Sequence, residues 1–397
     1  MKKFRLPYGV QDYLPEECYQ KEQLEKTLAG VFYRAGFERV ETPALEYYDL
    51  YDGVLDGGNF NKMFKITDSD GSLLVLRPDI TLQISRMAAT KLSAGLNKLY
   101  YIENSYEFLP DSQGSSARSR EFAQVGIEIV GKSGAAGDTE AVILAVEALL
   151  ACGLTDFLID IGHADYFNGV AAQFAVSPAA AAELKRIINN KDAAGFDALF
   201  TQYKIAQNAR VVFEKMSTLY GGAEVLDVAA KLTDNPVSCA AIDGMRAILN
   251  AVKLCGYEKY VSVDLGLLKS GYYTGLVMRG IAKDFGASIL DGGRYDNLGG
   301  AFGKKSEAVG FAIGTKRLLS ALERQVKPAA LPPCDVAYIH AGGCVSAEFA
   351  FVSALRKKGK RVIKLFCMDK AELKAYCKRL NISRAVMFTE SGIEEVL

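Results

Sequence analysis

The sequence predicts an α+β fold with an antiparallel sheet, flanking helices, a helical insertion and a small C-terminal α/β domain. Apolar-rich runs joined by glycine-containing turns recur between helical segments, as they do in antiparallel sheets. Between about residues 167 and 254 alanine is abundant and strand patterns are scarce. Beyond residue 333 strand and helix patterns alternate, which is typical of a parallel sheet. We therefore expect a main domain over residues 1–326, a linker over 327–333 and a small domain over 334–397.

In the first half of the chain, Pro15 to Ala35 carries apolar residues at helical spacing, and Gly36 suits the C-terminal cap. MFKITD and LLVLRPD read as a hairpin, ITLQISRMAATKL as a helix, and KLYYIENSYEF and REFAQVGIEIVG as two strands. The Ser- and Gly-rich segment LPDSQGSSARS between the last two is predicted to be mobile. Asp138 is expected to cap a helix that runs to about Ala151.

In the second half, DFLIDIGH precedes the insertion, and KYVSVDLGLL, TGLVMRGIAKDF and ASILDGGRYD follow it as strands. AVGFAIGTKRLLSALERQ passes from a glycine-rich strand into a helix. The linker VKPAALPP holds three of the ten prolines. The small domain has 11 basic and 7 acidic residues, and this excess of four is a weak indication of an RNA-binding face.

The composition is that of an ordinary globular protein with no overall attraction to a charged partner. The 397 residues are half hydrophobic and carry 47 basic and 47 acidic side chains. Zero net charge does not draw a protein to nucleic acid or to anionic membranes. No apolar run approaches the roughly 20 residues of a membrane-spanning helix, and the start, MKKFRLPYGV, lacks the apolar run of a secretory signal. We expect a cytoplasmic protein with no membrane partner.

The cysteine and histidine content argues against metal or nucleophilic chemistry. Eight cysteines are irregularly spaced with no C-x-x-C pair, which is typical of free thiols in a reducing compartment. The two histidines, His163 and His340, are too few for a histidine-rich metal site. No Ser/His/Asp or Cys/His arrangement can be identified. From these residues we single out no catalytic residue and no metal site, and we expect no cofactor.

Two segments could offer hydrogen-bond acceptors to a cationic group. RPDIT places Asp79 and Thr81 at the end of a strand. REFAQVGIE places Gln124, Gly126 and Glu128 at a period of two, hence on one face of one strand, with the glycine leaving room between the longer side chains. The alternative is a solvated sheet face with salt bridges, because carboxylates are common on strand faces.

Two further segments complete the candidate site. SGYYTG presents the hydroxyls of Tyr272 and Tyr273, which suit a pocket for a small polar ligand. GFAIGTKR ends in Arg317 at a junction between a strand and a helix, where a cation and a helix N-terminus suit a phosphate. An arginine in a first helical turn is also commonplace.

Taken together, the segments from Leu6 to about Glu323 resemble the histidyl-tRNA synthetases, whose catalytic domain has the class II aminoacyl-tRNA synthetase fold. AGFERVETPALE resembles motif 1, the dimer-forming segment, and YYIENSYEFLPDSQGSSARSREFAQVGIE resembles motif 2. LRPDIT, SGYYTG and DGGRYDNL resemble the segments that hold histidine, and GFAIGTKRL resembles motif 3. The resemblance implies a pocket for a histidine-like ligand formed by six residues: Asp79, Thr81, Gln124, Glu128, Tyr272 and Tyr273.

Two departures from that family imply that the synthetase chemistry is lost. Where the synthetases carry a phenylalanine-arginine pair that grips the ATP α-phosphate, this chain has Tyr106 and Glu107. A carboxylate repels a phosphate, and exchanging an arginine for a glutamate reverses an electrostatic term worth several kcal/mol in a partly dry site. Where they carry an arginine that helps activate the histidine carboxylate, this chain has Leu268. Lys269, one residue on, is expected to point to the opposite face if the strand continues to that position.

The same profile resembles a second family, the regulatory subunits of ATP phosphoribosyltransferase, which are paralogues of the synthetases. IDIGHADYF around His163 and the short C-terminal domain fit that family. The resemblance implies a non-catalytic partner of the short-form catalytic subunit at the first step of histidine biosynthesis. It also implies histidine feedback, a hetero-octamer built on dimers formed through motif 1, and Arg317 as a remnant of a phosphate site.

That resemblance makes tRNA an improbable partner, because the small domain is shorter than a typical anticodon-binding domain. The feedback histidine could bind in the retained pocket or at the contact between subunits. Two alternatives to the regulatory subunit remain at this stage: a divergent histidyl-tRNA synthetase and a stand-alone histidine sensor.

Overall fold

The computed structural model describes residues 4–51, 62–108, 119–269, 271–366 and 369–397. Two compact units divide the chain, Met1–Pro328 and Ala329–Leu397. Most of the segment predicted to be mobile, residues 109–118, lies outside the described residues. Within the described part of the chain, no helix is long and apolar enough to cross a membrane.

The first four strands of the first unit are short, and the two longest strands are β5 and β6, each of ten residues. In chain order they are β1 (Glu38–Arg39), β2 (Leu45–Tyr47), β3 (Lys65–Thr67), β4 (Leu73–Leu76), β5 (Asn97–Tyr106), β6 (Glu121–Val130), β7 (Phe157–His163), β8 (Tyr220–Gly221), β9 (Val261–Asp264), β10 (Leu276–Ala282), β11 (Ser288–Arg294) and β12 (Ala308–Gly314).

Nine of these strands form one sheet in the order β1-β5-β6-β12-β11-β10-β7-β9-β8. The six central strands, from β5 to β7 in that order, pair antiparallel throughout. Strand β1 pairs parallel with β5, and β9 pairs parallel with β7. The predicted fold class is confirmed, with parallel pairs confined to the two sides of the sheet.

Ten α-helices accompany this sheet in the described part of the unit. They are α1 (Pro15–Arg34), α2 (Thr81–Thr90), α3 (Gly134–Ala151), α4 (Ala164–Gln173), α5 (Pro178–Asn189), α6 (Ala193–Tyr203), α7 (Gln207–Met216), α8 (Glu224–Ala230), α9 (Pro236–Leu254) and α10 (Thr315–Gln325).

Helices α1 and α3 cover one face of the sheet. Leu28 and Phe32 of α1 are fully buried, and they belong to the same apolar core as Val142 and Leu149 of α3. The prediction that Asp138 caps α3 is wrong, because the helix already begins at Gly134. The carboxylate of Asp138 instead lies inside the helix and is buried against Arg294.

The predicted insertion contains mainly helices, α5 to α9, and its strand content is the two-residue β8. Ser177 and Asn235 cap α5 and α9, and each is followed by a proline at the first helical position. Buried apolar residues such as Leu184 and Phe213 join the core of the main sheet. The alanine-rich pattern thus indicates close helix packing.

A second, three-stranded sheet has the order β2-β4-β3. Val75 points to the interior and is fully buried. On the other face, Leu45 lies opposite Leu76, and Tyr47 and Ile66 both lie opposite Leu74. Leu45, Tyr47 and Ile66 are 46%, 58% and 40% exposed. This outer face is therefore an exposed apolar surface, which monomeric proteins seldom carry without a partner.

The second unit is a small α/β domain with the elements β13 (Val336–His340), α11 (Val345–Lys357), β14 (Val362–Lys364), α12 (Lys370–Arg379), β15 (Arg384–Thr389) and β16 (Gly392–Glu395). Its sheet has the order β14-β13-β15-β16. The first three strands are parallel, as predicted, and β16 adds an antiparallel edge that the sequence pattern did not indicate.

Candidate functional site

The floor of the candidate site is a row of small residues across the centre of the large sheet. In the registers of β5, β6, β12 and β11, Tyr101 lies opposite Gly126, and Gly126 lies opposite Ala312. A Cβ at Gly126 would overlap the hydroxyl of Tyr101. Glycine is therefore required there, because the tyrosine ring lies across it.

Glu128 lies at the centre of the site and is almost fully buried, with 1% of its surface exposed. The Thr81 hydroxyl donates to its Oε1 at 2.7 Å, and the Tyr295 hydroxyl donates to its Oε2. A Cβ at Gly310, its cross-strand partner on β12, would overlap Oε2. Burial raises the pKa of Glu128 to about 8, and the nearby Asp79 carboxylate adds to the shift.

Asp79 precedes α2 and is held from two directions. Its Oδ1 accepts from the backbone N–H of Leu82 at 3.0 Å, and its Oδ2 accepts from the hydroxyl of Tyr272 at 3.0 Å. Burial raises the pKa of Asp79, and these hydrogen bonds oppose the shift. The site thus holds two carboxylates, Glu128 buried and Asp79 half-buried, that would each be stabilised in the charged form by a cationic ligand.

Two tyrosines close the site. The rings of Tyr272 and Tyr273 are 5.0 Å apart, and Tyr272 meets Tyr295 edge-on at 5.9 Å. Tyr273 packs on Gly293, whose φ of +155° and contact with the ring both favour glycine. Gln124 completes the predicted set, and its Oε1 accepts from the Ser105 hydroxyl at 3.0 Å.

These groups surround a cavity of about 110 Å³. All six residues singled out from the sequence line it. The described lining is Asp79, Ile80, Thr81, Tyr101, Gln124, Glu128, Tyr272, Tyr273, Asp291, Gly292, Gly293, Tyr295, Gly310, Phe311 and Ala312. The cavity combines three carboxylates with four tyrosine rings, so it can accept hydrogen bonds from a small cation and stack on a flat group.

Three lining side chains were not singled out individually from the sequence, although their segments were quoted with the motifs: Tyr101, Asp291 and Tyr295. Tyr101 alternates with Leu99 and Glu103 on β5, and that period marks one face, but the register of β5 against β6 has no periodic signal in the sequence. Asp291 and Tyr295 both lie in the segment ASILDGGRYD. Alternation along β11 would have placed Asp291 on the same face as Gly293.

A family model described as Histidyl-tRNA synthetase matches residues 9–318. The chain is 35% identical over 363 residues to the ATP phosphoribosyltransferase regulatory subunit of Acetivibrio thermocellus, which covers 91% of the chain and 86% of that protein. It is 34% identical over 390 residues to the subunit of the same description from Clostridium acetobutylicum, with 97% and 95% covered.

The chain belongs to the ATP phosphoribosyltransferase regulatory subunit family, a branch of the histidyl-tRNA synthetase-like proteins. A crystal structure from Bacillus halodurans, described as an ATP phosphoribosyltransferase regulatory subunit/histidyl-tRNA synthetase, matches with a TM-score of 0.84 and 26% identity over 98% of both chains. The resemblance inferred from the sequence motifs is thereby confirmed for family and fold.

A second, larger pocket lies next to the cavity. It has a volume of about 290 Å³, and Gln124, Asp291 and Ala312 line both spaces. Arg317 lines it and donates to the backbone oxygen of Ser288 at 3.0 Å. Glu107 lines it too, with the Lys62 ammonium 3.5 Å away. The walls therefore carry charges of both signs.

The side chains of Leu268 and Lys269 point in different directions, Leu268 into the apolar core and Lys269 to the cavity wall. Leu268 is buried in the main apolar core. The Lys269 ammonium lies 2.5 Å from Oδ1 of Asp291 and donates to the backbone oxygen of Met278 at 3.1 Å. It also lies 5.7 Å from the ring centre of Tyr273. Lys269 was expected to turn away only if the strand continued to it. Strand β9 ends at Asp264, and an irregular turn brings the lysine to the cavity wall.

Two other residues quoted with the motifs have structural roles. Arg77 is buried, pairs with Glu103 at 2.7 Å and donates to the backbone oxygen of Asn104 at 2.6 Å. It joins β4 to β5 and does not line the cavity. His163 is the N-cap of α4, and its Nδ1 accepts from the backbone N–H of Asp165 at 3.3 Å. Burial lowers the pKa of His163, which favours the neutral ring that this cap requires.

Proposed function

We propose that the chain is the non-catalytic regulatory subunit that joins a short-form ATP phosphoribosyltransferase catalytic subunit at the first step of histidine biosynthesis. It completes the activity of that subunit and transmits feedback by histidine. The supporting observation is likeness over nearly the whole chain to regulatory subunits. Feedback is then a coupling free energy, in which histidine favours one arrangement of the assembly over another.

The pocket next to the cavity supports the loss of synthetase chemistry. In that pocket a phosphate would meet the carboxylates of Glu107 and Asp291 as well as the cationic groups of Lys62, Lys316 and Arg317. Glu107 stands where the resemblance implies the arginine that grips the ATP α-phosphate in the synthetases. A carboxylate on the wall opposes the charge that an adenylation transition state develops. Leu268, packed in the core, offers no cation to the neighbouring cavity. We interpret Arg317 as a remnant of a phosphate site.

The cavity itself supports binding of histidine. Asp79, Thr81, Gln124, Glu128, Tyr272 and Tyr273 meet around one small space. Its carboxylates suit an ammonium group and a protonated or N–H-donating imidazole, and its tyrosine rings suit the flat face of that ring. Histidine is therefore the ligand that we assign to the cavity, whether it acts there as the feedback signal or as a structural ligand.

Self-association through the motif 1 region is supported by the outer face of the three-stranded sheet. Motif 1 ends in β2, whose Leu45 and Tyr47 contribute to that exposed apolar face. A second copy of the chain would cover this face in a dimer, and such dimers with the catalytic subunit would form the hetero-octamer. The seven described cysteines are unpaired, which fits assembly in the reducing cytoplasm.

A divergent histidyl-tRNA synthetase is the second candidate, favoured by the retained cavity and by Arg317. Two measurements separate the proposals. Histidine-dependent ATP–pyrophosphate exchange is expected to be absent, and an equimolar mixture with a short-form catalytic subunit is expected to elute as one large complex. Exchange above background would support the synthetase. Separate elution of the two chains, with no exchange, would support a stand-alone histidine sensor.

A further inference from the structure

The charges on the cavity wall are unbalanced for the zwitterionic ligand that the proposed function assigns to it. Three lining side chains, Asp79, Glu128 and Asp291, are carboxylic acids, and the described lining includes no lysine or arginine. These groups can receive the ammonium of an amino acid. They repel its carboxylate, which needs a cation or several N–H donors nearby.

Lys269 is placed to supply that cation from just behind the wall. Its ammonium contacts two residues of the lining, Asp291 at 2.5 Å and the Tyr273 ring at 5.7 Å from the centroid. The backbone oxygen of Met278 fixes the ammonium from another side, at 3.1 Å. An ammonium has three N–H groups, and these two hydrogen bonds use two of them.

Asp291, in turn, is held against Lys269 from its other side. Its Oδ2 accepts from the hydroxyl of Ser288 at 2.7 Å. The side chain of Lys269 is 18% exposed and that of Asp291 is 43% exposed. The pair is therefore anchored, while the aspartate remains open to the cavity. At this point of the wall the aspartate charge is neutralised, so a ligand carboxylate can approach.

We propose that Lys269 is the carboxylate-recognition residue of the cavity and makes it selective for an amino acid over the corresponding amine. Its third N–H donates to the ligand carboxylate, while Asp291 and Met278 hold the ammonium in place. Asp79 and Glu128 receive the positively charged end of the ligand. This inference rests on the proposed function, because it assumes that the cavity binds histidine.

The test compares L-histidine with histamine, which keeps the imidazole and the ammonium and lacks the carboxylate. Binding of both to the full chain is measured by isothermal titration calorimetry for the wild type, Lys269→Met and Lys269→Arg. The wild type is expected to prefer histidine. Lys269→Met should weaken histidine binding about 10-fold or more, since one charge-assisted hydrogen bond is lost. Histamine binding should not weaken, because the uncovered Asp291 carboxylate attracts its positive charge. Lys269→Arg should retain most of the preference.

The matched control is Lys259→Met. Lys259 also lies over a tyrosine ring, that of Tyr260 at 4.7 Å, but it does not line the cavity. Equal weakening of both ligands by Lys269→Met would reduce Lys269 to a structural role and overturn the proposal, as would an unchanged preference. A wild type that binds neither ligand would overturn the histidine pocket itself. The regulatory role is judged separately, by activation of the catalytic subunit.

Discussion

The hydroxyl of Thr81 donates to Oε1 of Glu128 at 2.7 Å, although the two residues lie 47 positions apart. Thr81 begins α2, Glu128 lies in the middle of β6, and Tyr295, after β11, holds the other carboxylate oxygen. The buried acid on β6 is thus held by hydroxyls from two other parts of the first unit. Its position depends on the complete fold, so the cavity is organised before any ligand enters.

Replacement of the central acid should test the cavity directly. Glu128→Ala should abolish histidine binding. Glu128→Gln, which keeps the size of the side chain, should weaken it roughly 10- to 100-fold through loss of the charge and of one of the two hydrogen bonds that the carboxylate accepts. Isothermal titration calorimetry measures both variants. Glu140→Gln, on α3 and paired with Lys98 away from the cavity, is the control. Undiminished binding by Glu128→Ala would place the ligand elsewhere.

The raised pKa of Glu128 predicts a pH dependence of stability. Below the ordinary value of 4.5 both folded and unfolded chains hold the proton. Between 4.5 and about 8 the folded chain holds it more tightly, so the free energy of unfolding falls as the pH rises. The loss from this group is at most roughly 5 kcal/mol. Burial of Asp79 acts in the same direction.

Urea denaturation of the wild type and Glu128→Gln at pH 5, 6, 7 and 8 checks this slope. The amide has no proton to lose, so the variant should gain stability relative to the wild type as the pH rises. A difference between the two proteins that is constant across the four pH values would show that Glu128 titrates near its ordinary pKa.

The glycine opposite Glu128 should be intolerant of a side chain. In Gly310→Ala the new methyl group would overlap the Glu128 carboxylate and the backbone oxygen of Ile127, so one of them must move. We expect a loss of about 2–4 kcal/mol in the free energy of unfolding, together with loss of histidine binding.

Gly244→Ala supplies the matched control for that substitution. Gly244 lies inside α9, and a Cβ there meets no atom within 4 Å. Alanine should therefore stabilise the chain by about 0.5–1 kcal/mol in the same urea titration. A Gly310→Ala variant as stable as Gly244→Ala would contradict the packing described for Glu128.

The apolar outer face of the three-stranded sheet predicts a dimer that a single charged substitution on this face should dissociate. Tyr47→Asp should convert a dimer into a monomer in sedimentation velocity, because an unpaired carboxylate would be buried at the contact. The far-ultraviolet circular dichroism of the chain should not change, since Tyr47 is 58% exposed in the single chain. Tyr33→Asp, on the exposed side of α1, should remain dimeric. A monomeric wild type would remove this face as the self-association surface.

Sequence patterns predicted those cavity residues whose positions follow from the local periodicity of a strand. Gln124 and Glu128 share a strand face because they are four apart, and the double tyrosine marked a pocket by its chemistry alone. Asp138 was misplaced because its true partner, Arg294, is 156 residues away. Lys269 was misplaced because the strand before it ends early. Long-range pairing and irregular turns carry no periodic signal, so they are decided by the packed structure.

The most direct test is the ATP phosphoribosyltransferase activity of a short-form catalytic subunit, measured alone, with this chain, and with this chain plus histidine. We predict little activity from the catalytic subunit alone, a large gain that saturates with added chain, and inhibition of the mixture by histidine. A catalytic subunit that responds to its own regulatory subunit but not to this chain would contradict the proposed regulatory role.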